Sequence, residues 1–292
     1  MKRIVMRAEL YLFLASVLAA LGWIASKLVV LNMPGEVFIA IRFLLAGLIL
    51  LPFCYKRILR LSLKQLIMGC GVGVFLGVGF QVLIYAVSIN HSLSEGAFIM
   101  SLAMIIAPVT AWIIFQVKPN RAFWFVLPIS AIGMMLLTLG STWQSDSSQL
   151  YFMLAAVFFS IHFVLNKNIS RRLTPLVSIC LQLFTVGIVG AIYVGFTQEY
   201  AFEFNRSLIF WFIISTVFAT SMRYWLQITG QYLVNIETAA FIMILVPIWT
   251  MMLSVTVLGE ALELHKVLGG CVILLSLFLY IRLSRQVALT SK

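Results

Sequence analysis

Apolar residues follow one another along this chain in long runs, and short polar connections separate the runs. A helix that spans a membrane needs about 17–25 mostly apolar residues. We therefore predict ten spanning helices, here called segments 1 to 10. They cover residues 10–31, 35–54, 66–89, 95–116, 121–139, 149–169, 175–196, 207–231, 237–258 and 264–284.

The composition supports a protein surrounded by lipid. The chain is 63% hydrophobic and 10% charged, with a mean hydropathy of +1.09, whereas a soluble domain carries about 25% charged residues. The basic N-terminus leads into an apolar run that ends at Leu31, which is longer than the apolar core of a signal peptide. We predict an all-α integral membrane protein whose first segment is retained.

Lysine and arginine residues are distributed unequally between the two sets of connections. Cytoplasmic loops of membrane proteins carry the excess of these residues, and the arrangement with both termini in the cytoplasm places only Arg206 and Lys266 outside. Because the net charge of +11 belongs to loops beside lipid, no nucleic-acid partner is expected. We predict a multi-pass protein of the cell (inner) membrane, as a monomer or homodimer.

The most polar connection divides the ten segments into two groups of five. The division gives a first repeat over residues 1–140, a polar connection over 141–148 and a second repeat over 149–292. Sequence similarity across the divide is ordered: the stretch that begins YLFLASV at Tyr11 matches YFMLAAV at Tyr151. Lys27 and Lys167 are offset by the same number of positions as these two tyrosines. The tetrapeptide AFIM at 97 then recurs at 240, with a slightly larger offset.

An odd number of helices in each repeat has a topological consequence. The second repeat must enter the membrane from the opposite side, which makes the two repeats inverted. Inverted repeats are typical of secondary transporters, whose solute site lies between the repeats near the middle of the bilayer. Two conformations that exchange the roles of the repeats would give alternating access.

Two sequence motifs resemble those of a known family. Pro34 is followed by AIRFLLAG at 40–47, and the second repeat ends with VLGE at 257–260 and VLGGCVILL at 267–275. The chain is similar to EamA-type members of the drug/metabolite transporter superfamily. The resemblance implies a cavity lined by segments 1, 3, 4, 6, 8 and 9, with 5 and 10 at the periphery. Gln116–Pro119 departs from the family pattern, which has Leu-Gly-Glu at this point.

Several polar and aromatic residues lie inside the apolar segments, where such groups usually face a cavity or another side chain. On segment 8, polar residues recur every three or four positions and form one stripe. The predicted solute-binding residues are Arg223, Gln227, Gln81, Tyr85, His162, Asn166, Trp23, Lys27, Ser101 and Trp249.

Each of the charged or titratable candidates also has a purely structural interpretation. Arg223 lies in the interior of its segment, and the alternative to a solute contact is a cation that binds helix carbonyls. Lys27 lies near a segment end, from which its amine could extend to the interface. His162 could equally be a packed histidine, and Arg42, which lies within a motif of the resembled family, is interpreted as structural.

Glycines and prolines predict close contacts and bends. Gly69, Gly73 and Gly77 recur at four-residue spacing on segment 3, which is typical of closely packed membrane helices. Pro108 and Pro247 predict bends in segments 4 and 9, because proline removes a backbone donor and clashes with the preceding turn.

The interior charges indicate the solute class. No Asp or Glu lies in the middle of any segment, so lipophilic cations are disfavoured and carboxylates or phosphates are favoured. We predict a secondary transporter that exports amino acids or related zwitterionic or anionic solutes. The alternatives are an importer or exchanger of nucleotide-linked or other phosphate-bearing metabolites, and a channel or structural subunit. No catalytic motif and no cofactor is predicted.

Overall fold

The computed structural model describes residues 2–88, 93–138, 147–169, 172–197, 201–259 and 264–290. All regular structure in these ranges is helical, which agrees with the predicted all-α class. The predicted connection at 141–148 lies largely outside the described residues.

The chain forms thirteen α-helices among the residues described, together with one 3₁₀ turn and one π-helical turn. The α-helices are α1 (Lys2–Val30), α2 (Gly35–Leu50), α3 (Tyr55–Ile58), α4 (Leu63–Ser88), α5 (Leu93–Phe115), α6 (Arg121–Thr138), α7 (Ser147–Ile169), α8 (Pro175–Thr197), α9 (Arg206–Thr216), α10 (Arg223–Leu233), α11 (Ile236–Met243), α12 (Val246–Leu258) and α13 (Leu264–Thr290).

Helix α1 begins at Lys2, well before the predicted start at residue 10. Lys, Arg, Met and Glu are good helix formers, so the helix continues beyond the apolar run that marks the lipid-facing part. The same reason explains why α13 extends to Thr290.

Seven helical stretches in the described residues are long and apolar enough to cross a membrane, and they correspond to predicted segments 1, 2, 3, 6, 7, 8 and 9. Three shorter apolar stretches, Leu102–Phe115, Arg121–Leu136 and Val267–Leu283, correspond to segments 4, 5 and 10. The protein is therefore a multi-pass membrane protein, and the count of ten spans stays a prediction.

Two of the spans are interrupted. The stretch Arg206–Leu233 contains a π-helical turn, Val217–Met222, between α9 and α10. The stretch Ile236–Leu258 breaks between α11 and α12, where Pro247 occupies the first turn of α12. A proline in the first turn needs no backbone donor, so the predicted bend at Pro247 is a helix boundary. Pro108 lies inside α5.

Helices α4 and α8 approach closely along the glycine stripe. A Cβ atom built on Gly73 would lie 2.9 Å from Cα of Gln182, and one on Gly69 would lie 2.7 Å from a methyl of Leu181. Gly77 meets Val189 in the same way, at 3.1 Å. The interpretation of this stripe as a packing surface is thus confirmed.

The packing of the helices follows one pattern in both halves of the chain. Helices α2 and α8 lie along each other, and so do α6 and α13. Helix α4 packs on α7 as α10 packs on α1, and α5 packs on α7 as α12 packs on α1. Helix α10 also contacts α1, α7 and α8, and these helices, with α2 and the π-helical turn, carry many of the buried polar side chains.

Candidate functional site

Helix α10 presents three of its polar side chains one turn apart. Arg223, Gln227 and Gln231 are separated by four residues each, so they lie on one face. Gln227 and Gln231 are 3% and 2% exposed, yet Oε1 of Gln227 and both amide atoms of Gln231 have no hydrogen-bond partner among the described residues. We call these three residues the α10 stripe.

Gln81 on α4 has the same character. Its side chain is 9% exposed, and neither amide atom has a hydrogen-bond partner within the part of the chain that the structure describes. A buried polar group without a partner costs about 1–3 kcal/mol, and such groups in native proteins call for an explanation. A solute that supplies the missing hydrogen bonds is one such explanation.

Arg223 is half-buried at the start of α10. Its guanidinium lies 4.1 Å from the ring centroid of Tyr224, and its buried Nε has no hydrogen-bond partner in the described ranges. Among the residues that the structure describes, no carboxylate forms an ion pair with Arg223. Thr220, three residues before Arg223, belongs to the first of two further polar clusters.

The first cluster, here called the arginine cluster, joins Ser26 of α1, Arg42 of α2 and Thr220 of the π-helical turn. Arg42 is 7% exposed. Its Nε donates a hydrogen bond to Oγ1 of Thr220, and Nη1 donates to Oγ of Ser26 at 2.9 Å. The rings of Phe38 and Phe43 lie 5.2 and 5.6 Å from the guanidinium carbon. These contacts support the structural interpretation of Arg42.

The second cluster, here called the histidine cluster, joins α7 to α8. Nε2 of His162 lies 2.9 Å from Oε1 of Gln182 and 3.0 Å from Nδ2 of Asn166. Nε2 of Gln182 donates to Oδ1 of Asn166 and to Oγ of Ser178, both at 2.8 Å. One ring nitrogen cannot donate to a carbonyl oxygen and accept from an amide at the same time. Only one of the two His162 contacts is therefore a full hydrogen bond in either tautomer.

The two clusters occupy matching positions in the two repeats. Asn166 corresponds to Ser26, and Gln182 corresponds to Arg42, because both pairs have the offset that relates Lys167 to Lys27. The sequence therefore carried a signal for Gln182, which was not among the predicted site residues. It is a polar residue deep in segment 7, at the position that Arg42 holds in the other repeat.

Lys167 has a defined structural role at the end of the α10 stripe. Its Nζ donates to the backbone oxygens of Gln231 at 2.7 Å and of Tyr232 at 3.0 Å, and also to that of Val234. The last carbonyls of a helix lack partners within the helix. Lys167 thus caps the C-terminus of α10 and adds a favourable charge there.

The remaining predicted residues take no part in the hydrogen bonds of these two clusters. Trp249 donates from Nε1 to Oγ of Ser16 at 3.0 Å and packs edge-on against Phe13. The ring of Tyr85 packs edge-on against Tyr151, with centroids 4.8 Å apart. Trp23 and Lys27 are exposed on α1. Ser101 belongs to α5, but its side chain lies outside the described residues.

Comparison with known proteins decides the family. The model of the EamA-like transporter family matches twice, over residues 6–139 and 147–282. The chain belongs to this family. Members of the family are membrane transporters, in agreement with the apolar helices and with the resemblance found in the sequence motifs.

Two relatives extend the comparison. A protein of Archaeoglobus fulgidus, named as an uncharacterized transporter, is 28% identical over 277 residues, which are 93% of this chain and 86% of that protein. A solved crystal structure has a TM-score of 0.82 at 14% identity and covers 96% of this chain and 98% of its own. The second likeness concerns the fold alone.

Proposed function

We propose that the protein is a secondary transporter that exports amino acids or related zwitterionic or anionic solutes by alternating access. The observation that carries the proposal is the α10 stripe. Among the residues that the structure describes, no carboxylate pairs with Arg223, and Oε1 of Gln227 and both amide atoms of Gln231 are buried without a hydrogen-bond partner. A carboxylate would accept hydrogen bonds from Arg223. The amides of Gln227 and Gln231 offer both donors and acceptors to the other polar groups of the solute.

The proposal includes ten spans arranged as two inverted repeats. The double match of one family model and the matching helix contacts support two repeats. Gln116 and Gly259 add to this support, because both have positive φ, 56° and 67°, just after the ends of α5 and α12. Their offset in the chain equals the offset between the two AFIM tetrapeptides.

Two contacts support the opposite insertion of the repeats. Nδ2 of Asn205, which precedes α9, donates to Oδ1 of Asn32, which follows α1, at 3.0 Å. These two residues are separated by predicted segments 2 to 7, and an even number of crossings returns the chain to the same side. The second contact is the cap from Lys167 on α10, which joins the ends of segments 6 and 8. We propose that both ends lie on the cytoplasmic side of the inner membrane, as do the two termini of the chain.

Uptake into proteoliposomes that contain the purified full chain tests the function. Radiolabelled amino acids are screened against nucleotides, other phosphate-bearing metabolites and quaternary amines. We expect saturable flux of an amino acid. In Arg223→Gln we expect about a 10- to 100-fold loss of kcat/KM, because a hydrogen bond to a charged group contributes about 1.5–3 kcal/mol. Arg206→Gln, at an exposed position on α9, is the matched control and should retain transport.

Each other result has a defined meaning. Saturable flux of phosphate-bearing metabolites alone would favour the importer or exchanger and reject amino-acid export. Flux that does not saturate would identify a channel, and no flux of any solute would favour a structural subunit. Transport of quaternary amines that is unchanged in Arg223→Gln would reject the assignment of an anion site to Arg223.

A further inference from the structure

The π-helical turn Val217–Met222 determines which residues of α10 share a face with those of α9. A π-helical turn contains one residue more than the α-helical turn that it replaces, and each residue of an α-helix turns the chain by about 100°. Without the extra residue, the position of Arg223 would be occupied by Met222. Met222 is now 41% exposed, on a different face of the helix.

Hydroxyl groups stabilise the turn where it is. Oγ1 of Thr220 donates to the carbonyl of Ser215 at 2.8 Å, and Oγ of Ser221 donates to that of Thr216 at 2.9 Å. Each bond joins a hydroxyl to the backbone carbonyl five residues earlier. The π-helical turn separates these carbonyls from the backbone N–H groups that would bond to them in an α-helix. Arg42 then donates to Oγ1 of Thr220 from α2, so the turn is also held from outside its own helix.

The lower part of α10 is fixed independently. A Cβ atom on Gly230 would lie 2.7 Å from Cγ of Leu12 and 3.0 Å from the carbonyl of Ala8, so the close contact with α1 requires glycine at this place. If the extra residue moved toward the C-terminus, α9 and Gly230 would keep their contacts. Only the residues between the old and the new position would turn, and Arg223 is among them.

We propose that Arg42 is a positioning residue for Arg223: through Thr220 it fixes the location of the extra residue and so holds the Arg223 guanidinium toward the interior. The inference rests on the proposed role of Arg223 as the solute contact. Release of the bond between Arg42 and Thr220 moves the extra residue past Arg223, turns its side chain by about 100° and brings Met222 to its place. Solute release and rearrangement of α2 against the π-helical turn are thereby coupled.

Cysteine labelling of the full chain in proteoliposomes tests the orientation without any solute. Cys54, Cys70, Cys180 and Cys271 are first replaced by alanine, and single cysteines are then introduced as Met222→Cys or Arg223→Cys. With Thr220 intact, a water-soluble thiol reagent should label position 223 and not position 222, because a thiol in apolar surroundings stays protonated and unreactive. Arg42→Leu and Thr220→Val both remove the bond between these two residues. In either background, labelling should be lost at 223 and gained at 222.

The controls separate the hydrogen bond from general damage. Thr220→Ser keeps the hydroxyl and should restore the original labelling. Thr256→Val removes a comparable bond, from Oγ1 to the carbonyl of Met252 at 2.9 Å on α12, and should leave the labelling unchanged. Because Thr220→Val also removes the bond from Thr220 to Ser215, unchanged labelling in Arg42→Leu would overturn the inference even where Thr220→Val shifts the labelling. If no amino acid is transported while the labelling shifts as expected, the proposed function fails and the positioning role of Arg42 stands.

Discussion

At the scale of single residues, hydrogen-bond partners divide the buried amides into two kinds. Gln182 bonds to Asn166, Ser178 and His162. Among the described residues, by contrast, Gln81 has no partner for either amide atom and Gln227 has none for Oε1. The sequence predicted Gln81 and Gln227 as solute contacts from their spacing. It could not separate them from Gln182, because the choice of partner depends on how α7 and α8 meet.

Replacing an unpartnered buried amide by an apolar residue should affect stability and transport in opposite directions. Gln227→Leu removes a buried acceptor that has no partner, and leucine has a similar volume. We expect the free energy of unfolding to stay equal or to rise, by up to about 1–3 kcal/mol. We expect kcat/KM for the solute to fall. Thermal unfolding in detergent and uptake into proteoliposomes measure the two effects.

Gln182→Leu is the comparison for this prediction. It leaves Asn166, Ser178 and His162 without their common partner, so we expect a clear loss of thermal stability. If Gln227→Leu instead lowered the stability and left uptake intact, Gln227 would be a packing residue and the α10 stripe would lose its proposed role.

At the scale of helices, the length and position of the apolar runs carried most of the information. The predicted segment 7, 175–196, differs from α8 by a single residue at one end, since Pro175 sets its start. The π-helical turn within segment 8 could not be predicted from the sequence. Its bonds from Thr220 and Ser221 follow no apolar pattern, and its contact with Arg42 joins residues that are far apart in the chain.

The glycine stripe on α4 gives a prediction about helix packing. Gly73→Ala should destabilise the protein by about 1–3 kcal/mol, as overpacking does, because the new Cβ would lie 2.9 Å from the backbone of Gln182 and 2.8 Å from Cβ of Thr185. Gly71→Ala is the matched control, since nothing lies within 4 Å of a Cβ at that position. Thermal unfolding of both variants in detergent measures the difference. Equal unfolding temperatures would contradict the close approach of α4 and α8.

At the scale of the whole molecule, the matching clusters connect the two repeats to the site. The arginine and histidine clusters lie at equivalent positions of the two repeats, since Asn166 and Gln182 have the same offset from Ser26 and Arg42. The two repeats were predicted from sequence similarity, in which Lys27 and Lys167 hold equivalent positions. The similarity did not explain why a lysine is present at this position. The structure gives Lys167 a role, because it caps the C-terminus of α10. If the repeats are inverted copies, Lys27 would make the equivalent cap in the first repeat.

The orientation of the molecule gives the last prediction. Because an even number of predicted crossings separates α1 from α9, Leu31 and Glu203 should lie on one side of the membrane, and Arg60 and Lys118 on the other. All four residues are exposed. In the cysteine-free chain, Leu31→Cys and Glu203→Cys should react with a membrane-impermeant maleimide on intact cells. Arg60→Cys and Lys118→Cys should react only after permeabilisation, because the excess of Lys and Arg in membrane proteins lies in cytoplasmic loops. Labelling of Leu31→Cys and Glu203→Cys from opposite sides would exclude the even number of crossings and, with it, the inverted arrangement on which alternating access depends.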